Sequence, residues 1–222
     1  MVRAAADRWE EVIVGDIPDA REVQPFLRED CLRSISWGTG TASELLAVGD
    51  FDDLLVAVWP YQTSGTVLAQ AGPCWFSDRP MPNYGRAMIN TNQLDYMVST
   101  NSLETVIIHE LGHVLGIGTL WRREGSQLIS PSLGHCGNPS LDPGVPRTYG
   151  GERGVAEYRA LGAAGEPQVD DYCGHWHEAR FGDEVLTPVI RINQNGNNHQ
   201  PLSRMTLGAL EDLGYQVDYT VA

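Results

Sequence analysis

Apolar and polar positions along the chain change period several times, and each change marks an element. Residues 3 to 14 read as a helix, with Ala4, Ala5, Trp9 and Val12 or Ile13 on one face. Gly15 and Pro18 stop it. Residues 31 to 37 and 54 to 59 read as strands. The second, Leu54-Leu55-Val56-Ala57-Val58-Trp59, is apolar almost throughout, as a buried strand should be. Thr66 to Ala71 and Arg86 to Thr91 are further strand candidates. The strongest helical signal follows: Leu103, Val106, Ile107, Leu111, Val114 and Leu115 recur at helical spacing. Asn101 is placed to cap this helix, with Glu104 three residues on in the manner of a capping box. Gly116 and Gly118 end it.

Beyond Arg122 the pattern loosens. The stretch to Gly174 is rich in Gly, Pro, Ser and acidic residues, with one helix-like segment from Val155 to Leu161. A final helix is expected from Ser203 to Leu213, with Leu207, Leu210 and Leu213 on its apolar face and Gly214 just past its end. These elements predict an α+β fold: a twisted mixed sheet of about four or five strands backed by two helices, then a loop-rich C-terminal subdomain. The expected division is residues 1–118 and 119–222.

Composition narrows the possibilities. Hydrophobic residues make up 42% of the chain, enough for a folded core. The net charge is −14, and all 15 basic residues are arginine. No basic stripe is present, which argues against a nucleic-acid partner. The longest apolar runs are too short to span a bilayer. The four cysteines, Cys31, Cys74, Cys136 and Cys173, form no C-x-x-C pair. In an oxidising compartment they could form two disulfides, with three possible connectivities.

The chemistry concentrates in His109-Glu110-Leu111-Gly112-His113. Residues i and i+4 share a helix face, so both imidazoles can reach one ion. Glu110 projects about 100° further round, where it can meet a water on that ion. Zinc lowers the pKa of such a water towards ~7, and a carboxylate beside it can act as general base. The flanks are apolar on both sides. Packing gives no reason for two histidines and a glutamate inside a buried helix, where unpaired polar groups are costly.

A catalytic zinc usually takes three protein ligands. Gly116 stands where the H-E-x-x-H-x-x-G-x-x-H pattern has its glycine, but the next ligand position is Thr119, a poor zinc ligand. His135, His175, His177 and His199 remain. The segment His109 to Trp121 resembles the active helix of the leishmanolysin-like metallopeptidases, a metzincin family with an insertion before its third histidine. Gly174-His175-Trp176-His177-Glu178 resembles that family's third-ligand stretch. Phe181-Gly182-Asp183-Glu184-Val185-Leu186-Thr187 resembles the segment after it, with Leu186 or Val185 where Met is more usual. Leu202 to Leu207 resembles the Met-turn, and Leu210 to Tyr215 its closing helix. The likeness runs from about residue 3 to residue 219.

The resemblance implies a metzincin-like fold and a zinc endopeptidase acting on protein or peptide. His109, His113 and His175 would hold Zn2+, Glu110 would be the base, and Met205 would form a hydrophobic floor. His177 is the rival third ligand, since two residues along an extended chain face the same way. The segment Leu68, Ala69 and Gln70 would form a cleft rim that pairs with substrate backbone. Leu207 stands where some metzincins carry a tyrosine, so another group must stabilise the oxyanion. Two other functions share these features: an inactive zinc-stabilised binding domain, and a zinc hydrolase of non-peptide amides. The expected disulfides are Cys136 with Cys173, tying the insertion beside His175, and Cys31 with Cys74, stapling the sheet. The chain opens without an apolar signal segment and begins in a helix where metzincins begin in a strand. A trimmed N-terminus and an extracellular location are therefore the expectation.

Overall fold

The structure is a computed structural model that describes residues 1–17, 19–23, 49–76, 81–122, 127–130, 136–137, 144–192 and 200–222. Cys31, His135, His199 and the strand expected at 31–37 lie outside these residues.

The first helix, α1 (Val2–Val12), buries Ala5, Trp9 and Val12, the i, i+4, i+7 stripe of an amphipathic helix. A small antiparallel pair, β1 (Ala20–Val23) and β2 (Gly49–Phe51), follows it. The main sheet holds three strands among the described residues: β3 (Leu55–Tyr61), β4 (Ala69–Phe76) and β5 (Pro82–Asn90). Their order is β3-β5-β4. β3 runs parallel to β5, with Val56 opposite Gly85. β4 runs antiparallel to β5, with Gln70 opposite Met88, and its register slips between Pro73 and Trp75. Proline has no N–H to give a ladder, so an irregular outer strand tolerates it.

The sequence pattern assigned the sheet partly wrongly. The apolar run on β3 is only half-buried, whereas β5 is central and buried along most of its length. β5 starts at Pro82, four residues before the expected Arg86. The strand expected at Thr66–Ala71 starts at Ala69 and continues to Phe76. The overall mixed α+β character is as expected, with a smaller main sheet among the described residues.

After the short helix α2 (Leu94–Ser99) comes α3 (Leu103–Leu115), in which every residue from Thr105 to Leu115 is buried. It lies on β4 and β5, with α1 packed against it. Trp9 donates its indole N–H to the Ile108 carbonyl at 3.0 Å, fixing α1 one residue before His109. The capping differs from the expected box. Ser102 is the N-cap residue, no side chain caps the helix, and Asn101 adopts a left-handed φ of 53°. Asparagine tolerates that conformation better than most residues. At the other end Gly116 takes φ 118°, and the Tyr215 hydroxyl donates to the Leu115 carbonyl at 2.9 Å.

The C-terminal half contains a two-residue pair, β6 (Ile129–Ser130) and β7 (Thr148–Tyr149), and helices α4 (Glu152–Ala160), α5 (Glu178–Phe181) and α6 (Arg204–Asp212). α4 begins earlier than the expected Val155 because Asp212 supplies its N-terminal acceptors. The Asp212 carboxylate accepts the amides of Arg153 and Gly154, both at 2.9 Å, and the Tyr149 hydroxyl. Trp121, Tyr149 and Trp176 stack around one another, with ring centres 4.6 to 5.4 Å apart. One buried cluster runs from Ala5 and Trp9 through Leu111 to Trp176, Leu186, Leu210 and Tyr215, so the two halves share a core. Cys136 and Cys173 form the expected disulfide. Among the described residues no helix is long and apolar enough to cross a membrane.

Candidate metal centre

His109 and His113 are one helical turn apart on α3, and both are buried. His175 reaches them from a loop. The approach depends on Gly118, whose φ is 73°. A Cβ at Gly118 would lie 1.8 Å from the Gly174 carbonyl oxygen, so only glycine lets the two backbones touch there. The loop's other anchors are the Cys136–Cys173 disulfide, two residues before His175, and the buried Trp176 after it.

The three imidazoles turn their Nε2 atoms toward one point. His113 Nε2 lies 3.0 Å from that of His109 and 3.0 Å from that of His175. Each ring's Nδ1 faces a group that can only accept. These are the Val185 carbonyl for His109 at 2.7 Å, the Ile117 carbonyl for His113 at 2.9 Å, and the Asp170 carboxylate for His175 at 2.9 Å. The proton therefore sits on Nδ1 in all three, and each Nε2 presents a lone pair. Three lone pairs at this spacing repel one another unless a cation lies among them. Nitrogens on a tetrahedral zinc at ~2.0–2.1 Å would stand about 3.3 Å apart, close to what is found. The residues present fit a metal ion by donor type, tautomer and spacing.

Electrostatics point the same way. Burial first, and then electrostatic repulsion against the neighbouring His175 ring, pulls His113 down to about 4. His109 is held well below its ordinary value by burial and by the other two rings. Both are neutral, ligand-ready imidazoles at neutral pH. Burial alone pushes the Glu110 carboxyl up to about 8. A bound cation would reverse that penalty. Burial also raises Asp170, but hydrogen bonds from the His175 ring and from the amides of Gly174 and His175 outweigh it and hold the carboxyl low.

The centre lies at one side of a cavity of about 900 Å³. Glu110 and the three histidines line it, together with Thr66 to Ala71, Arg86 and Met88. Leu68, Ala69 and Gln70 therefore border the same space as the histidines. Val67, Tyr96, Val189 and Ile190 add apolar surface.

His177 stands outside the histidine group. It precedes α5 as its N-cap residue, and its amide donates to the Gln168 carbonyl. Thr119 donates its hydroxyl to the His113 carbonyl at 2.7 Å, so it helps end α3. Met205 is buried in the core at the start of α6 and is not among the residues lining the cavity. Against Gly112, which precedes His113 on α3, pack the Leu186 side chain and the Trp9 ring, 2.8 and 3.1 Å from a Cβ placed there.

Sequence reasoning missed Asp170, Glu184 and the carbonyls of Ile117 and Val185. Asp170 was visible only as an acidic residue five positions before His175, and Glu184 only as part of the family-like segment from Phe181 to Thr187, with no role of its own. Backbone carbonyls leave no signature in side-chain identity. No protein-family model matches the chain, and no curated protein matches it.

Proposed function

We propose that this chain is a zinc-dependent endopeptidase of the leishmanolysin-like type, with His109, His113 and His175 as ligands and Glu110 as general base. The observation that carries the reading is the convergence of three Nε2 lone pairs beside Glu110 on the wall of a cavity large enough for a peptide. When bound, zinc would polarise the scissile carbonyl and make the attacking water more acidic.

Glu110 takes the proton from that water and returns it to the departing amine. Its buried position keeps the carboxylate dry and poorly solvated, so it is a stronger base than a surface glutamate. Asp170, Val185 and Ile117 hold the three imidazoles in the tautomer that leaves Nε2 free. Among the described residues β4 is an outer strand of the sheet, and its stretch from Ala69 to Ala71 borders the cavity, where an extended substrate can pair with it. The disulfide fits an oxidising, extracellular setting.

The test is a casein-type protease assay with and without a chelator, on the wild type and on Glu110→Ala. Hydrolysis is expected, lost on chelation and restored by zinc. Glu110→Ala should lose about 10²- to 10⁴-fold in turnover with its metal retained. Zinc-loaded protein that cleaves no protein or peptide would overturn the peptidase reading. It would leave a binding domain, or a hydrolase of other amides, on the same centre.

A further inference from the structure

Glu184 takes no part in the reaction just described, yet it is a buried carboxylate, only 6% exposed. Among the described residues no arginine or histidine forms an ion pair with it. Burying a carboxylate this way is costly unless its oxygens are fully hydrogen-bonded. Here they are. One oxygen accepts the Ser203 amide at 3.2 Å, the Ser203 hydroxyl at 3.1 Å and the Thr206 hydroxyl. The other accepts the Leu186 amide.

The direction of these bonds is fixed by chemistry. The Trp176 indole can only donate, and it donates to the Thr206 hydroxyl at 2.7 Å. The Thr206 hydroxyl must then pass its own proton toward Glu184. A chain of two directed hydrogen bonds thus joins Glu184 to the residue beside His175. On its other side Glu184 precedes Val185, whose carbonyl accepts from His109 Nδ1 at 2.7 Å. The Leu186 carbonyl accepts the Trp176 amide at 3.0 Å, closing the ring of contacts. His113 needs none of this, because its acceptor, Ile117, lies four residues along its own chain.

We propose that Glu184 is a positioning residue of the metal centre, in addition to Asp170. It fixes the Val185 carbonyl and the Trp176 side chain, and through them sets His109 and His175 for the ion. The proposal rests on the three-histidine metal centre but not on peptidase activity. Glutamine cannot replace it: one of its two ends is an amide NH2, which would face an N–H or hydroxyl donor. Asparagine or alanine would leave those donors unpaired as well.

The experiment compares full-length wild type, Glu184→Gln and Thr206→Val. Zinc affinity is read by competition with a chromophoric chelator, and ligand geometry by the visible absorption of the Co2+-loaded protein. Folding is checked by circular dichroism. Glu184→Gln is expected to weaken zinc binding about 10- to 100-fold and to change the Co2+ spectrum. Thr206→Val, which removes the hydroxyl that joins Trp176 to Glu184 but leaves the Ser203 and Leu186 donors on the carboxylate, should move both readouts less and in the same direction. A residue that merely stabilised the fold would lower the melting temperature and leave the affinity and spectrum of the folded protein unchanged. That result in Glu184→Gln overturns the proposal. If Glu184→Gln does not fold, Thr206→Val with wild-type affinity and spectrum overturns it. Wild type that binds neither zinc nor Co2+ overturns the metal centre itself, an outcome separable from the others before any variant is measured.

Discussion

Helix α3 and the loop from Asp170 to Thr187 hold the same kind of side chain by different means. On α3 the spacing of His109 and His113 is set by the helix, and every residue around them is buried against sheet and core. His113 even finds its acceptor within its own chain segment. His175 stands on irregular backbone. Its place depends on the Gly118–Gly174 contact, the disulfide at Cys173, the Asp170 carboxylate and the aromatic stack around Trp176. A helix turns local sequence directly into geometry. A loop reaches the same precision only when many distant contacts agree.

The largest expected effect tests whether the loop supplies a true third ligand. His175→Ala should weaken metal binding by more than the roughly 10- to 100-fold that loss of an outer partner costs. His177→Ala should leave the metal in place. Metal titration of both variants checks this, and a reversed pair of results would move the ligand by two residues.

Removing the disulfide comes next. It closes a loop of 37 residues, and the loop-entropy relation puts its worth at about 4 kcal/mol. The double variant Cys136→Ala, Cys173→Ala should unfold at correspondingly lower urea and bind metal more weakly, because His175 loses its nearest covalent anchor. Unchanged metal affinity in the folded variant would show that Asp170 and Trp176 suffice to hold the loop.

Gly118→Ala should cost about 3 kcal/mol, from the backbone clash with Gly174 and the left-handed φ together. Gly112→Ala on the helix meets only the end of the Leu186 side chain and the Trp9 ring, and should cost less. Chemical denaturation of the two variants compares loop with helix directly. Equal losses would mean that the helix face is as tightly committed as the loop contact.

The smallest effect is a pH dependence of the metal-free protein. Glu110 titrates near 8 when folded against 4.5 ordinarily, so the folded chain keeps a proton that the unfolded chain has released. Its contribution to stability is complete below pH 4.5 and falls as pH rises toward 8. His109 and His113, held low, act oppositely, but only below about 6.5. Between pH 6.5 and 8 the Glu110 effect stands alone among these three groups. Metal-free wild type should lose about 2 kcal/mol across that window, and Glu110→Gln should lose none of it. Thermal melts at the two pH values decide.

By itself the sequence determined the helix and the identity of its polar residues, because an i, i+4 pair of histidines on an apolar helix has one geometric outcome. It also showed the mixed α+β class and the pairing of Cys136 with Cys173 as an expectation. Spacing alone did not separate His175 from His177, since two residues along an extended chain face the same way; the family resemblance alone favoured His175. Only the tertiary structure brings His175, and not His177, beside His109 and His113, with Trp176 buried between the two in sequence and His177 at the N-cap position of α5. The same holds for the strands. An apolar run marked β3 as buried, yet the sheet order placed β5 at the centre. The contacts of Asp170, Glu184 and Leu186 exist only once remote segments meet. A carboxylate far along the chain acquires meaning when its hydrogen bonds are closed by folding.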